Sequence, residues 1–331
     1  MGKVNKISRL VSGLVLTVSM ALASASPVFA AINTTTGNQT LSVSPVRTDV
    51  TIKTGDSGTV VVKVTNLTNT TTSIQPIEND FIAGDKEDGT PALILNGDQY
   101  APTHSLKRFM VPLQAIVVGP KATQEVAVTI KVPKNAQAGG YFGAIRFAPT
   151  TGSGSSVNLG ASVASLILLT VPGPTTEQLT LTNFDITQNG GKATNFRTPD
   201  NLSLLLRFDN KGNLQEAPFG SVYVTKGKKV VYSYNFNQTA PKDEVLPDSA
   251  RRWTIPLKNL GKFGKYTVGA TFTYGTKGQS IEITKTIWII PTTYILGAII
   301  AVVLLIVIIG GGILFLRSYK RRILRSSKRR Y

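Results

Sequence analysis

The sequence has no cysteine and one histidine, His104. Without cysteine the chain can form no disulfide, iron–sulfur cluster or cysteine-ligated zinc site, and it has no thiol nucleophile. One histidine cannot build a histidine-rich metal site, and no nucleophile-elbow motif surrounds it. The G-x-S-x-G spacing is approached only at Gly152-Ser153-Gly154, which lacks the motif and is typical of a flexible loop. The sequence therefore predicts no catalytic residue, metal ligand or cofactor, and His104 is expected in a loop or on the surface.

Acidic residues are few. The chain has 18 of them against 36 lysines and arginines, so its formal net charge is +18. Much of this excess lies in two acid-free segments at the ends of the chain. The remaining positive charge is scattered, which excludes the dense basic footprint of a nucleic-acid-binding protein. We expect a solvated basic surface, and contact with anionic wall polymers or lipid headgroups is the alternative.

The few acidic clusters are the candidates for metal binding or carboxylate catalysis. The segment Asp85-Lys86-Glu87-Asp88-Gly89 resembles a calcium loop, but its spacing is wrong and no downstream glutamate completes it. A solvated acidic turn is therefore predicted. Glu78 and Asp80 would share a face of a strand, as glycosidase carboxylates must, but a β-edge surface is the preferred interpretation. Lys242-Asp243-Glu244 and Asp248 are predicted to lie in a polar loop.

One long hydrophobic run stands near the end of the chain, from Tyr294 to Leu316. As an α-helix it would be about 34 Å long at about 1.5 Å per residue. That length crosses a hydrocarbon core of about 30 Å. The basic side chains that follow, with no acid among them, are Arg317, Lys320, Arg321, Arg322, Arg325, Lys328, Arg329 and Arg330. By the positive-inside rule, residues 317–331 are a cytoplasmic tail of a single-pass plasma-membrane protein whose preceding residues lie outside.

The start of the chain has the pattern of a secretory signal peptide over residues 1–30. An apolar run, Leu10 to Leu22, is too short for a comfortable membrane span and is followed by Val28-Phe29-Ala30. The charges that precede the run are those of Lys3, Lys6 and Arg9. Cleavage is expected between Ala30 and Ala31. Residues 31–40 are polar and predicted to be a disordered lead-in.

Between these segments, short β-branched runs alternate with turn signals, and helical periodicity is missing. The strongest break is Pro172-Gly173-Pro174, which can extend neither a strand nor a helix. We predict an all-β fold of two tandem immunoglobulin-like antiparallel β-sandwiches, 41–172 and 175–291, followed by a single transmembrane α-helix over 294–316.

Several local patterns in the β region make specific predictions. Residues 221–234 are predicted to form a hairpin, and 165–171 are apolar on both faces, as a central strand is. In 266–274, apolar and polar residues alternate strictly, which predicts a half-buried strand. Tyr266 has the position of a tyrosine corner, in which the phenol bonds to upstream backbone, and Tyr141 is its counterpart in the first sandwich.

The junction between the second sandwich and the helix is only Pro291-Thr292-Thr293. Trp288 and Tyr294 bracket it as interfacial aromatics do, although Trp288 is equally compatible with a packed strand residue. The predicted membrane-interface residues are Trp288, Tyr294, Arg317, Lys320, Arg321 and Arg322. The spacing Gly297-x-x-x-Ala301 permits close helix contact, so a homodimer through the helix is a weaker expectation. Membrane lipid is the partner expected for the helix and the basic tail.

The external region has a series of strand and turn patterns at 41–45, 62–66, 79–81, 128–133, 139–145, 209–213, 245–249 with Arg251-Arg252, and 263–266. In these stretches it resembles the WxL-interacting proteins of bacterial surfaces. The resemblance implies two immunoglobulin-like domains, the first associated with peptidoglycan and the second with host or partner proteins. No Trp-x-Leu motif and no LPxTG-like signal occur in the sequence, so we expect anchoring by the helix.

These observations predict a non-catalytic, membrane-anchored binding or scaffolding protein of the cell surface. Its sheet edges and loops would contact a surface protein or a cell-wall polymer, for example by strand addition. Two alternative hypotheses about the function stay open. The chain is an accessory subunit or chaperone-like component of a surface complex, or it is an exported enzyme acting on wall glycan.

Overall fold

The computed structural model describes residues 40–150 and 162–327, with the backbone alone for 320–327. These residues form two β-sandwiches and one C-terminal apolar helix, which confirms the predicted immunoglobulin-like all-β class. The predicted boundary at Pro172-Gly173-Pro174 stays a prediction. It lies between the last strand of the first sandwich and the first strand of the second.

The first sandwich is built from nine strands in two sheets. A three-stranded sheet has the order β1-β3-β7, and the facing sheet has the order β2-β9-β8-β4-β5, with β6 also paired to β4. The strands are β1 (Leu41–Ser44), β2 (Arg47–Thr51), β3 (Ser57–Asn66), β4 (Thr72–Ala83), β5 (Pro91–Leu93), β6 (Ile116–Val118), β7 (Thr123–Lys131), β8 (Gly139–Thr150) and β9 (Val163–Val171). A 3-10 turn, Lys107–Phe109, lies in the long connection between β5 and β6.

The second sandwich repeats this plan with sheets of four and five strands. Their orders are β11-β10-β13-β16 and β12-β18-β17-β14-β15. The strands are β10 (Leu179–Gln188), β11 (Gly191–Lys192), β12 (Asn195–Phe196), β13 (Leu202–Asn210), β14 (Phe219–Lys226), β15 (Lys229–Phe236), β16 (Ser249–Pro256), β17 (Gly264–Tyr274) and β18 (Gln279–Ile289). Most pairings are antiparallel, and the parallel ones, β2 with β9 and β12 with β18, lie at sheet edges.

Each sandwich has its own apolar core between its sheets. The period-two alternation of strand side chains explains how the core is filled. In β17, residues 266, 268, 270, 272 and 274 are buried as predicted, and their neighbours on the other face are more exposed, except Gly269. In β9, Ile167 and Leu169 enter the first core, whereas Leu168 packs in a separate patch on the opposite face. The predicted hairpin is formed by β14 and β15. Their pairing runs from Gly220 with Phe236 to Lys226 with Lys229.

The two sandwiches share an asparagine corner that the sequence patterns did not single out. Asn66 and Asn210 are fully buried at the ends of β3 and β13. Each accepts a hydrogen bond from the backbone N–H two residues later and donates to the carbonyl four residues later. The Asn66 amide also donates to the carbonyls of Val118 and Gly119. Because this amide is fully engaged and buried, Asn66 stabilises the end of β3 and the turn that follows it.

Both predicted tyrosine corners are present. The Tyr266 hydroxyl, on a side chain only 1% exposed, accepts from the Gly261 N–H at 2.9 Å and donates to the Gly261 carbonyl at 3.1 Å. The Tyr141 hydroxyl donates to the Gln137 carbonyl at 2.8 Å. Each phenol thus fixes the connection that enters a core strand.

The helix α1, Thr292–Ser327, begins three residues after β18 ends. It is longer than the predicted 294–316 because the basic residues that follow the apolar run continue the helix. The part long and apolar enough to cross a membrane is Thr292–Tyr319, and its side chains are exposed within the chain. Beyond Tyr294 the large apolar side chains of α1 are mostly exposed within the described part of the chain, so this hydrophobic surface is available to lipid.

Candidate functional site

The side chains weighed for catalysis are engaged in structural hydrogen bonds. Asp80 is fully buried in β4 and is therefore not on a surface edge, which corrects that prediction. Its carboxylate accepts from the Ala101 N–H, the Ser105 hydroxyl and the Lys107 N–H at 2.9, 2.6 and 2.8 Å, so it organises the loop between β5 and β6.

Glu78, also in β4, is half-buried and accepts from the Leu113 N–H at 2.6 Å. His104 lies in the same loop region as predicted, with Nδ1 2.6 Å from the Gly140 carbonyl oxygen. Its Nε2 is 4.0 Å from Asp248 Oδ2, in the second sandwich. The two acids and the histidine therefore each position a loop.

The acidic turn over residues 85–89 is a contact between the sandwiches, so the prediction of a solvated turn is wrong for Glu87. Its carboxylate accepts from Arg207 Nε and Nη2 at 2.9 and 2.7 Å and lies 2.8 Å from Arg252 Nε. The Glu87 carbonyl also accepts from the Arg252 N–H on β16. The hydrogen bond from Arg207 lowers the pKa of Glu87. The Glu87 carboxylate therefore serves a pair of guanidinium groups.

A second set of contacts closes the junction. Arg47 Nη2 on β2 lies 2.7 Å from Glu244 Oε2 in the loop before β16. Burial raises the pKa of Glu244, and the charge of Arg47 opposes that shift. Phe81, Leu168 and Leu246 pack beside this pair and leave a cavity of about 80 Å³. This cavity is smaller than a typical ligand pocket of about 300 Å³ or more, so the junction is better suited to holding the sandwiches together than to holding a ligand.

Glu216 is a second acid buried in the second sandwich, with its side chain 3% exposed. Its Oε1 has no hydrogen-bond partner among the described residues. Burial raises the pKa of Glu216 to about 7, and the nearby Glu177 carboxylate adds to the shift. A carboxyl in this position is neutral in mildly acidic solution and charged above neutral pH.

One edge of the five-stranded sheet in the second sandwich is β15. Its outer side pairs with no strand among the described residues. From Val230 to Phe236 it contains no charge, proline or glycine, and Val230 and Tyr234 are 56% and 42% exposed. Native proteins usually protect such an edge with charges, proline or a bulge. In β15 this protection is confined to the start of the strand, where Lys229 is charged and Val231 is the extra residue of a bulge in the pairing with β14. At the opposite side of this sheet β12 pairs only with the end of β18, and the rest of β18 carries charges at Glu282 and Lys285.

A groove of about 280 Å³ lies between β15 and β16, the last strands of their sheets on this side of the sandwich. Phe236, Trp253 and Ile255 form its apolar part, and Trp253 packs edge-on against Phe236 with ring centroids 5.3 Å apart. Its polar lining comes from Tyr234, Asn235, Asn237, Gln238, Thr239, Asp243 and Thr254. A groove of mixed polar and apolar lining beside an unpaired strand edge offers both main-chain hydrogen bonds and a side-chain pocket to an extended peptide.

The predicted membrane-interface residues lie where strand and helix meet, and their role stays a prediction. Trp288 is 41% exposed on β18, so it is not a core residue, and the Lys265 ammonium lies 6.0 Å from its ring centroid. Tyr294 is 58% exposed and stacks on Phe263 with centroids 5.0 Å apart. Arg317 is exposed in α1. Lys320, Arg321 and Arg322 follow in the helix, and their side chains lie outside the description.

The predicted signal peptide, its cleavage position at Ala30 and Ala31, and Gly152-Ser153-Gly154 lie outside the described residues. Sequence reasoning missed Arg207 and Arg252, because nothing local marks an arginine as the partner of an acid in another domain. It also predicted the β14–β15 hairpin without identifying β15 as an edge. The uncharged run Val230–Phe236 was the available signal.

No family model matches the chain, and no curated protein matches it. Among solved structures it is similar to the class 5 fimbriae chaperone CfaA, with 14% identity over 74% of this chain and 98% of that chain, and a TM-score of 0.39. It is also similar to the E. coli chaperone DraB, at 13% identity, 75% and 96% coverage and a TM-score of 0.33. A chain of the Salmonella enterica SafA pilin–SafB chaperone complex gives 11% identity, 74% and 95% coverage and a TM-score of 0.34. These scores are below 0.5, and the likeness carries no argument about function.

Proposed function

We propose that this chain is a membrane-anchored, non-catalytic binding component of the cell surface that holds an extended segment of a partner protein against strand β15. The observation that carries the proposal is the exposed, uncharged edge from Val230 to Phe236 beside the groove of β15 and β16. Main-chain hydrogen bonds to such an edge give affinity, and alternate side chains of the added strand reach the groove and give selectivity.

Membrane anchoring is the first part of the proposal. The apolar part of α1, Thr292–Tyr319, suits a membrane span, and basic residues follow it. The positive-inside rule then puts those residues in the cytoplasm and the sandwiches outside. Protease added to whole cells is expected to remove the sandwiches and spare the basic tail. Removal of the tail with intact sandwiches would reverse the orientation and overturn the cell-surface location.

The contacts at the junction support a presenting role because paired charges from both sandwiches meet there. Glu87 joins two arginines, and it lines the same small cavity as the Arg47–Glu244 pair. A rigid pair of sandwiches holds the β15 edge in a fixed orientation relative to the first sandwich. This arrangement suits a scaffold and equally an accessory or chaperone-like component of a surface complex.

The rival readings make different demands on the site. A wall polymer would use the amide and aromatic side chains of the groove and would need no free strand edge. The wall-glycan enzyme reading requires available carboxylates, and Asp80 is already occupied by three hydrogen bonds. The resemblance to WxL-interacting proteins stays a prediction, and under it the first sandwich would contact peptidoglycan.

The test is affinity capture with the full chain, against membrane extract and insoluble wall in parallel. The matched variants are Val230→Lys with Tyr234→Lys on β15, and Ser280→Lys with Thr284→Lys on β18. Capture of one discrete protein that the β15 variant loses and the β18 variant keeps supports the proposal. Capture of wall glycan alone, or equal capture by both variants, would refute strand addition.

A further inference from the structure

The end of the second sandwich from which α1 departs carries a cluster of basic side chains. Its members are Arg197, Lys226, Lys228, Lys229, Lys258, Lys262 and Lys265, all exposed. We call this set the basic platform. Sequence reasoning treated these charges as scattered because they come from separate parts of the chain.

The strand register brings these segments to one end. Gly264 and Lys265 at the start of β17 pair with Ile289 and Trp288 at the end of β18. Thr225 of β14 pairs with Thr267 of β17, so the turn from Lys226 to Lys229 lies at the same end.

The connections after β12 and β16 also lie at the end of the sandwich from which α1 departs. Asn195 of β12 pairs with Trp288, which places Arg197 beside the start of the helix. Pro256 at the end of β16 pairs with Ser203 at the start of β13, so the segment from Lys258 to Lys262 also leaves the sandwich at this end.

The platform has a strong excess of positive charge. In residues 189–201, 226–229 and 257–265 the only acid is Asp200. No platform member forms an ion pair within the described part of the chain, whereas Lys192, close by, is paired with Asp185 at 2.8 Å. Like charges gathered without neutralising acids are favourable only beside an anionic partner.

Exposed aromatic side chains lie among the charges and connect the platform to the helix. Phe263, Trp288 and Tyr294 are 47%, 41% and 58% exposed. Phe263 stacks on Tyr294 of α1, and the Lys226 ammonium donates to the Phe263 carbonyl at 2.9 Å. Aromatic rings beside basic side chains are typical of a surface at the level of lipid headgroups.

We propose that the basic platform binds anionic lipid headgroups of the leaflet that α1 enters, and so holds the second sandwich on the membrane. This inference rests on the proposed anchoring. Only Ile290 and Pro291 separate β18 from α1. At about 3.5 Å per residue this connection keeps the end of β18, beside which the platform lies, within roughly one Debye length, about 8 Å, of the start of the helix. A membrane is therefore favoured over a soluble polyanion.

The contact also bears on the proposed partner site. Strand β15 begins at Lys229, inside the platform, so headgroup binding would fix the position of the β15 edge relative to the bilayer. A platform released from the membrane would let both sandwiches tilt about the junction at Ile290 and Pro291.

The absence of cysteine allows a clean test with the full chain in nanodiscs. A nitroxide is attached at Ala193→Cys, exposed beside the platform, or at Ala127→Cys, exposed on the first sandwich as a distance control. Its collision rate with nickel-chelating lipid headgroups is measured in zwitterionic discs and in discs with about one third phosphatidylglycerol. The platform variant is Lys228→Gln, Lys262→Gln and Lys265→Gln. The matched variant is Lys53→Gln, Lys131→Gln and Lys134→Gln on the first sandwich.

We expect a several-fold higher collision rate at position 193 in anionic discs, which falls at high salt and in the platform variant only. Each lysine removed should weaken the lipid-bound arrangement by about five-fold, as expected from the attraction of one lysine to an anionic surface. Equal collision rates in both disc types would contradict lipid binding by the platform and would leave the proposed anchoring by α1 unaffected. Loss of the chain from the discs would overturn both. Selective release from lipid by added polyphosphate at physiological salt would reassign the platform to a soluble polyanion.

Discussion

Glu87 of the first sandwich accepts two hydrogen bonds from the guanidinium of Arg207 in the second, at 2.9 and 2.7 Å. The same carboxylate lies 2.8 Å from Arg252 Nε. One acid from a short loop therefore joins two strands of the neighbouring domain. Bidentate pairs of this kind fix orientation as well as distance, which makes Glu87 the main polar contact of the junction.

Replacing this carboxylate should uncouple the sandwiches. We expect Glu87→Gln to lower the free energy of unfolding by about 1–2 kcal/mol, since the pair is only partly shielded from water. In calorimetry the variant should show two separated transitions where the native chain shows one. The control is Asp88→Asn, whose exposed carboxylate accepts only the local Thr90 N–H. Similar losses in both variants would show that the arginine pairing does not couple the domains.

The Glu87 contact also predicts a response to acid. Because hydrogen bonding to Arg207 lowers the pKa of Glu87, its stabilising contribution is fully present above about pH 4.5. It should be lost as the pH falls through the lowered folded-state pKa. Wild type and Glu87→Gln should therefore converge in stability at low pH, as measured by urea unfolding. A constant difference down to pH 2 would contradict this assignment.

Glu216 should give the opposite pH dependence. Its folded-state pKa of about 7 is above its ordinary value of 4.5, so between these values the folded chain binds more protons than the unfolded chain. Stability from this group is therefore present at low pH and falls as the pH rises towards 7. Glu216→Gln should be more stable than wild type at pH 8, by up to about 3 kcal/mol, with little difference near pH 4.

The measurement for Glu216 is urea unfolding at both pH values. Glu125→Gln is the control, since Glu125 is exposed and pairs only with Lys63 on the neighbouring strand. A Glu216→Gln variant that is destabilised at pH 8 would show that the buried carboxylate is stabilising in its charged form.

The tyrosine corners should differ in strength. Tyr266→Phe leaves both the N–H and the carbonyl of Gly261 without their partner in a buried place, which should cost about 1–3 kcal/mol. Tyr141→Phe removes one bond at a more exposed carbonyl and should cost about 1 kcal/mol or less. Equilibrium urea unfolding of the two variants compares them directly. Equal losses would mean that the second bond at Gly261 contributes nothing.

Sequence reasoning reached the features whose cause is local. The burial alternation of β17 and the tyrosine corner of Tyr266 each depend on a short stretch of sequence, and both predictions are confirmed. The Glu87–Arg207 pair joins residues 120 positions apart, so no local pattern contains it. The sequence predicts a surface position for Asp80 because a carboxylate is usually exposed. In the structure, three hydrogen-bond donors from one loop compensate for its burial. The basic platform could not be predicted from the sequence for the same reason as the arginine pair. Its lysines lie in separate parts of the chain and come together only where four strand ends are adjacent in the fold.

The β15 edge should reveal itself by amide hydrogen exchange of the full chain in nanodiscs. Without a partner, the amides of β15 that point away from β14 should exchange at least ten times faster than those of the interior strand β17, since their only acceptor is water. An added partner strand should slow them. The amides of β18 that point away from β17 provide the control edge, and they should be unaffected.

The most direct test of the account is photo-crosslinking in intact cells with the full chain. A benzophenone side chain is placed at Tyr234 on β15, at Thr284 on β18, or at Ala127 on the first sandwich. Partner binding by strand addition predicts one discrete crosslinked protein at position 234, lost when Val230→Lys is added, and none at the other two positions. Crosslinks of equal yield at positions 234 and 284, or a product at 234 that survives Val230→Lys, would contradict it.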